Sequence, residues 1–276
     1  QLAESSETLV RFLDNVVTWN EDLNALPKQR QAASETRRLG LGVMGIADML
    51  NQLGVAYDSE QGTMMIEKVM EYITNASYQA SSFIAKEKGA SSIFDEEAYM
   101  ECPFVKEALS EQTHNMIRKN GLRNIAIMSI APTGSISNIV LGYKSEEKNY
   151  IGVSGGVEPI FSTFYTRRSE SFGNKMFKVF HSTIQAYIDK MGIQEDIDKA
   201  EDVDEVLPEF LTRTAHKIDS VKRVGVQGVI QRYIDHSISS TINLPEDVEP
   251  ETISDIYIKA WKNKLKGVTI YRDGSR

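Results

Sequence analysis

The sequence predicts an α/β protein with helices packed outside a sheet or barrel, and three observations carry that prediction. Stretches with apolar residues at helical spacing alternate along the chain with short runs rich in β-branched residues. The composition, 41% hydrophobic and 25% charged over 276 residues, is that of a folded protein able to bury a sizeable core. Neither a Pro/Gly/Ser-rich linker nor an internal repeat interrupts it, so residues 1–276 are read as a single domain.

Element by element, residues 4–19 place Leu9, Phe12, Leu13, Val16 and Val17 on one stripe, which predicts an amphipathic helix. After a turn around Pro27, RRLGLGVMGIADMLNQLG leads through glycines into a helix ending near Gly54. Ser59 to Gly89 keeps a helical period and stops at a glycine, and 107–119 reads as a shorter helix. Asn124 to Ile130 (NIAIMSI) has the character of a buried strand. Residues 157–166 are expected to form a strand, with Pro159 confined to its start. Beyond it, helices are expected at 175–191, 221–235 and 251–263, and strands at 237–245 and 267–272. The acidic run 195–205 reads as a solvated loop.

Several function classes are disfavoured. A formal charge of -8 argues against a broad cationic surface for nucleic acid or anionic lipid, though not against one phosphate site. No apolar run approaches a bilayer span and QLAESSETLV does not resemble a signal peptide, so no membrane role and a cytoplasmic location are expected. Cys102 is the only cysteine, which leaves no intrachain disulfide and no thiolate metal site.

The segment richest in chemistry is NIAIMSIAPTGSIS, where the strand breaks at Pro132 into small and hydroxyl-bearing residues. Pro132 fixes the backbone, Gly134 lets a ligand approach without a Cβ, and Thr133, Ser135 and Ser137 offer hydroxyl donors around Ile136. A helix starting at Thr133 to Ser135 would aim its free amides at an anion. An ordinary strand-to-helix turn with a Thr or Ser cap accounts for the same residues, and the pattern alone leaves both readings open.

The string APTGSIS (131–137), followed by SGGVEPIF (154–161) and YTRRSE (165–170), resembles the large subunit of ribonucleotide reductases. RFLDNVV (11–17), RRLGLGVMGIADML (37–50), RTAHKI (213–218), DHSISSTINLP (235–245) and KGVTIYRDGSR (266–276) extend the resemblance, in the family's order, over the whole chain. It implies the C-terminal part of a ten-stranded α/β barrel that converts ribonucleotides to deoxyribonucleotides for DNA synthesis by radical chemistry. It also implies that the loop Pro132, Thr133, Gly134, Ser135, Ile136 and Ser137 binds the substrate's phosphates. The family's finger-loop cysteines would lie on an N-terminal part preceding RFLDNVV, so this chain alone is expected to be inactive, with no catalytic residue and no metal ligand assigned to it. The complete enzyme is expected to pair the two parts and to form a homodimer.

In reductases fed by a metal-containing subunit, two adjacent tyrosines relay the radical; here Tyr271 is followed by Arg272. The resemblance is therefore to the adenosylcobalamin-dependent type, with adenosylcobalamin as cofactor. The metal-subunit type, a non-catalytic nucleotide-binding module and one half of a split enzyme are the alternatives. Tyr271 and Glu158 are candidates near the site, although Tyr271 also reads as a strand aromatic and Glu158 as a brace for the turn before Pro159. Arg167 and Arg168 can hold a polyphosphate or serve two different surfaces. His114 and His181 are placed on helices, His236 before a strand, and His216 is read as structural. Cys102 is expected to be a small, buried or partly buried residue without a catalytic role.

Overall fold

The computed structural model describes residues 1–169 and 175–275. Glu170, which closes YTRRSE, and Arg276, the last residue of KGVTIYRDGSR, lie outside the described residues. The chain runs through α1 (Leu2–Asn20), α2 (Pro27–Thr36), α3 (Ile46–Gln52), α4 (Glu60–Lys88), α5 (Glu96–Met100), α6 (Pro103–Ala108) and α7 (Glu111–Asn120). The strands β1 (Leu141–Lys144), β2 (Asn149–Ile151), β3 (Phe164–Ser169) and β4 (Lys175–Phe180) follow. Then come α8 (Ser182–Met191), α9 (Gln194–Lys199), α10 (Glu209–Thr212), α11 (Ser220–Gln231), β5 (Thr241–Leu244), α12 (Pro250–Lys262) and β6 (Thr269–Arg272). The described strands form three separate pairs, β1–β2 and β3–β4 antiparallel and β5–β6 parallel, and no closed barrel.

Residue contacts gather into two compact units. The first comprises 1–42, 65–130 and 228–238. Within it, the expected strand at 124–130 is an extended segment tied by single parallel bridges, Leu41 to Met128 and Ile130 to Ile238. Asp235 holds it there: one carboxylate oxygen accepts the amide of Ile127 at 2.7 Å and the other that of Met128 at 2.9 Å. Tyr78, fully buried on α4, donates its hydroxyl to the same carboxylate. A second network centres on Asp14, whose carboxylate receives Arg37 Nε at 2.8 Å and Asn124 Nδ2 at 3.1 Å.

That network corrects the reading of α1. Its stripe was expected to face the core, yet Leu9, Phe12 and Val16 are exposed, Phe12 by 60%, and the buried residues are Ser6, Val10 and Asp14. The Asp14–Arg37 ion pair, buried on both sides, turns the polar face inward. Trp19, near the end of α1, is 75% exposed. The single helix expected at 107–119 is two, because Leu109 is extended and Ser110 begins α7 by accepting the amide of Thr113.

The second unit comprises 43–64, 131–227 and 239–276. Val224, Ile242, Leu244, Ile256 and Ala260 form a buried cluster in which the parallel pair β5–β6 packs with α11 and α12. On α12, Trp261 turns outward, 77% exposed. Several expectations change in this unit. Residues 175–180 are strand rather than the start of a helix, since KMFKVF pairs along its length with β3 and only Ser182 onward is helical. The strand expected at 157–166 begins at Phe164, after the turn that Gly155, Gly156 and Pro159 impose. The acidic run contains α9, anchored by the buried Ile197.

Candidate functional site

The loop after Ile130 is built on two constraints. Thr133 takes a left-handed backbone, φ 53°, and its hydroxyl accepts the Gly156 amide at 2.8 Å. Gly155 must be glycine, because an added Cβ would stand 2.6 Å from the carbonyl oxygen of Pro132. The Ser137 amide donates to the Thr133 carbonyl at 2.9 Å, and the Val153 amide to that of Ser137 at 2.8 Å. The amides of Thr133, Gly134, Ser135 and Ile136 have no acceptor among the described residues. Around Gly134 the position a Cβ would occupy is open for 4 Å.

The expected helix is a single 3-10 turn, Ile136–Asn138, and Ser135 at its cap makes no capping bond. The chain enters the β1–β2 hairpin too soon for more, the amide of Gly152 already bonding to the Val140 carbonyl. A helix dipole therefore contributes little, and the loop's chemistry rests on its free amides and hydroxyls.

Beside the loop lies a cavity of about 440 Å³, within the second unit. Pro132, Ser137 and Asn138 line it from the loop, Ser154, Gly155 and the stretch Glu158–Phe161 from the following string, and Ser239, Thr241 and Asn243 from the region of β5. Thr133 is half-buried, and Gly134, Ser135 and Ile136 are exposed and outside that wall. Glu158, in the wall, accepts the Thr241 amide at 2.8 Å and Arg223 Nη2 at 2.6 Å. Arg223 also donates to Ser240 Oγ and lies over the ring of Tyr57. Burial pushes the Tyr57 phenol up to about 12, so it remains a donor, to the Val157 carbonyl.

The wall also holds a histidine that the sequence placed on a helix and gave no role; it stands instead between β4 and α8. His181 lines the cavity with its Nε2 2.6 Å from Asp48 Oδ1. Asp48 is only 2% exposed; Thr183 Oγ1 donates to the same oxygen and the Ser154 amide to the other at 2.6 Å. Burial alone would raise this carboxyl, but the bonds from His181, Ser154 and Thr183 outweigh it and hold it at about 2. The partners are 133 residues apart, so no local spacing signals them.

Other candidates fall elsewhere. Tyr271 sits on β6 in register with Asn243, but is itself outside the cavity wall and partly exposed. Arg167 and Arg168 oppose Phe177 and Met176 across the β3–β4 ladder; neighbours in a strand face opposite sides, and neither lines the cavity. His216 packs edge-on against Phe161, ring centroids 5.1 Å apart. Cys102 is exposed rather than buried, because it precedes Pro103 at the mouth of α6. Among the described residues no group of three or more His, Cys, Asp or Glu gathers to hold a metal, and no helix is long and apolar enough to cross a membrane.

The family described as ribonucleotide reductase, barrel domain, matches residues 1–271. The chain belongs to that family. Over its full length this reductase-family chain is 30% identical to a vitamin B12-dependent ribonucleoside-diphosphate reductase of Mycobacterium tuberculosis, covering 37% of that protein. It is 31% identical to the protein of the same description from Thermoplasma acidophilum, covering 33% of it. To a ribonucleoside-diphosphate reductase subunit alpha of Chlamydia pneumoniae it is 28% identical over 96% of the chain and 27% of the relative. The chain thus spans about a third of the length of the curated relatives it matches. Among solved structures, the Actinobacillus ureae class Id ribonucleotide reductase alpha subunit superposes with a TM-score of 0.71 over 98% of this chain and 46% of that one. At 22% identity that likeness shows the fold: a mixed α/β part of the reductase barrel.

Proposed function

We propose that the chain is the C-terminal part of an adenosylcobalamin-dependent ribonucleotide reductase, and that its cavity and the loop Pro132–Ser137 hold the phosphates of a ribonucleotide. Family membership carries the reaction, and vitamin B12-dependent relatives aligned along the whole chain carry the cofactor. Free amides at Thr133 to Ile136, with hydroxyls of Ser135 and Ser137, suit an anion; charge-assisted bonds of this kind contribute about 1.5–3 kcal/mol each. Ser135 makes no capping bond, which favours the cradle over the capped turn. The cavity's volume and polar wall suit part of a nucleotide, so this wall is assigned to the substrate. In the complete enzyme, adenosylcobalamin supplies the radical. The residues described here bind and orient the nucleotide, with 1–276 acting as a single domain, while an N-terminal part with the finger-loop cysteines performs the reduction in a cytoplasmic homodimer.

A second reading, the type fed by a metal-containing subunit, is favoured by the alpha-subunit relatives and by the class Id structure. Reconstitution distinguishes them. Joined to the N-terminal part, the chain is expected to form deoxyribonucleotide only when adenosylcobalamin is added, with Tyr271→Phe reducing the rate modestly. Turnover that ignores cobalamin, needs a metal-containing partner and vanishes in Tyr271→Phe would establish the second reading. Turnover by this chain alone would overturn both.

A further inference from the structure

His181 is the imidazole of the cavity wall, and its tautomer is fixed from behind. Asp48 is ionised at neutral pH and only accepts, so the proton of a neutral imidazole sits on Nε2, facing Oδ1 at 2.6 Å. Nδ1 has no partner among the described residues and, in that tautomer, carries a lone pair. A lone pair repels a phosphate oxygen. Only the imidazolium, with Nδ1 protonated as well, has a second donor to offer an anion.

The charged surroundings are few. Of the elements packed on α8, α3 brings Asp48, β1 brings Tyr143 and the exposed Lys144, and β2 brings Tyr150, which donates to Asp189. On β4, just before His181, Lys178 lies over the ring of Phe164. In the wall itself, the other titratable group is Glu158, already joined to Arg223. Asp48 favours the imidazolium. The first amides of α8 disfavour a cation at its cap and favour an anion. A bound phosphate is the one further group that would hold the second proton in place.

We propose that His181, set by Asp48, is a phosphate ligand of this cavity that takes up a proton from solvent when the anion binds. The inference rests on the reading that the cavity holds a nucleotide's phosphates. It adds a cationic ligand to a cradle otherwise made of amides and hydroxyls, and makes substrate affinity depend on pH. The step is balanced: neutral imidazole, one proton from the buffer and the phosphate give an imidazolium–phosphate pair, with no covalent bond formed or broken.

The test is calorimetry of cytidine diphosphate and inorganic pyrophosphate binding to the 276-residue chain, in buffers of different ionisation enthalpy. His181→Asn keeps a donor for Asp48 but cannot titrate; His181→Gln is the second variant. Near neutral pH the expected result is a net uptake of protons on binding that both variants lose, with affinity lowered roughly tenfold. The variants also separate a proton on the imidazole from one on the ligand. Binding by the parent chain with the same uptake and affinity in both variants would overturn the role of His181 and leave the phosphate cavity standing. Failure of the parent chain to bind either probe between pH 6 and 8 would overturn the cavity reading, and this inference with it.

Discussion

Two buried aspartates in different units use their charge differently. Asp14, in the first unit, is bound by groups of that same unit: Arg37 donates to its side chain and backbone carbonyl, Asn124 to its carboxylate, and Ser81 to Asn124. Asp48, in the second, is equally buried, but one of its donors, His181, opens onto a cavity. Partners that brace the helices around it make Asp14 a device of stability. A donor with one face toward a cavity gives Asp48 a reach beyond the fold. The same chemistry is thus structural or functional according to where the chain of partners ends.

The largest effect should come from breaking the Asp14 network. Asp14→Ala leaves the buried guanidinium of Arg37 with Glu21 as its remaining charged partner, and losing one side of such a pair costs about 3–5 kcal/mol. Urea unfolding followed by circular dichroism should show it. A loss below about 1 kcal/mol would mean that Asp14 is not the brace it resembles.

The next effect concerns acid. The Asp48 carboxyl is held at about 2 against an ordinary 3.8, so it stabilises the fold above pH 4 and that contribution disappears as pH falls from 4 toward 2. At 1.36 kcal/mol per unit this amounts to about 2 kcal/mol. Between pH 6 and pH 2, stability should therefore fall by that much less in Asp48→Asn than in the parent chain. Parallel acid limbs for the two proteins would contradict the assignment.

Smaller again is the cost of crowding the cradle. Gly134 has open space where a side chain would begin, so Gly134→Val should leave the melting temperature nearly unchanged. The affinity for cytidine diphosphate should fall about tenfold or more, roughly 1.4 kcal/mol, and Ser135→Ala or Ser137→Ala should do less because backbone amides remain. Equal, negligible effects of all three would return the loop to the status of a turn. Least of all, Cys102→Ser at the exposed start of α6 should shift stability by less than about 0.5 kcal/mol and leave the reconstituted enzyme active.

What the sequence made legible follows from how local each signal is. Helices with a clear period and end signals, such as α4 between Ser59 and Gly89, needed no tertiary information. KMFKVF did, because it becomes strand only through its ladder with β3. The stripe of α1 misled for a related reason: periodicity reveals that a helix has two faces, and an ion pair from α2's end decides which one turns inward. For the site, Pro132 and Ser137 were visible as a loop and Glu158 as a neighbour. His181 was legible only as a residue near a helix, since its meaning lies in Asp48, far away in the chain. Yet the family strings contain the partners: Asp14 belongs to RFLDNVV, Arg37 and Asp48 to RRLGLGVMGIADML, and Asp235 to DHSISSTINLP. Three aspartates of these strings, Asp14 and Asp48 buried and Asp235 half-buried, thus hold the networks described above.

The outward placement of both tryptophans has a spectroscopic consequence. With Trp19 on α1 and Trp261 on α12 three-quarters exposed, both indoles already sit largely in water in the folded chain. Their emission should lie near that of free tryptophan before any denaturant is added, and unfolding should barely move it. Any surface that comes to cover α1 would convert that silence into a blue shift, so the residue least useful for following the fold is well placed to report an encounter.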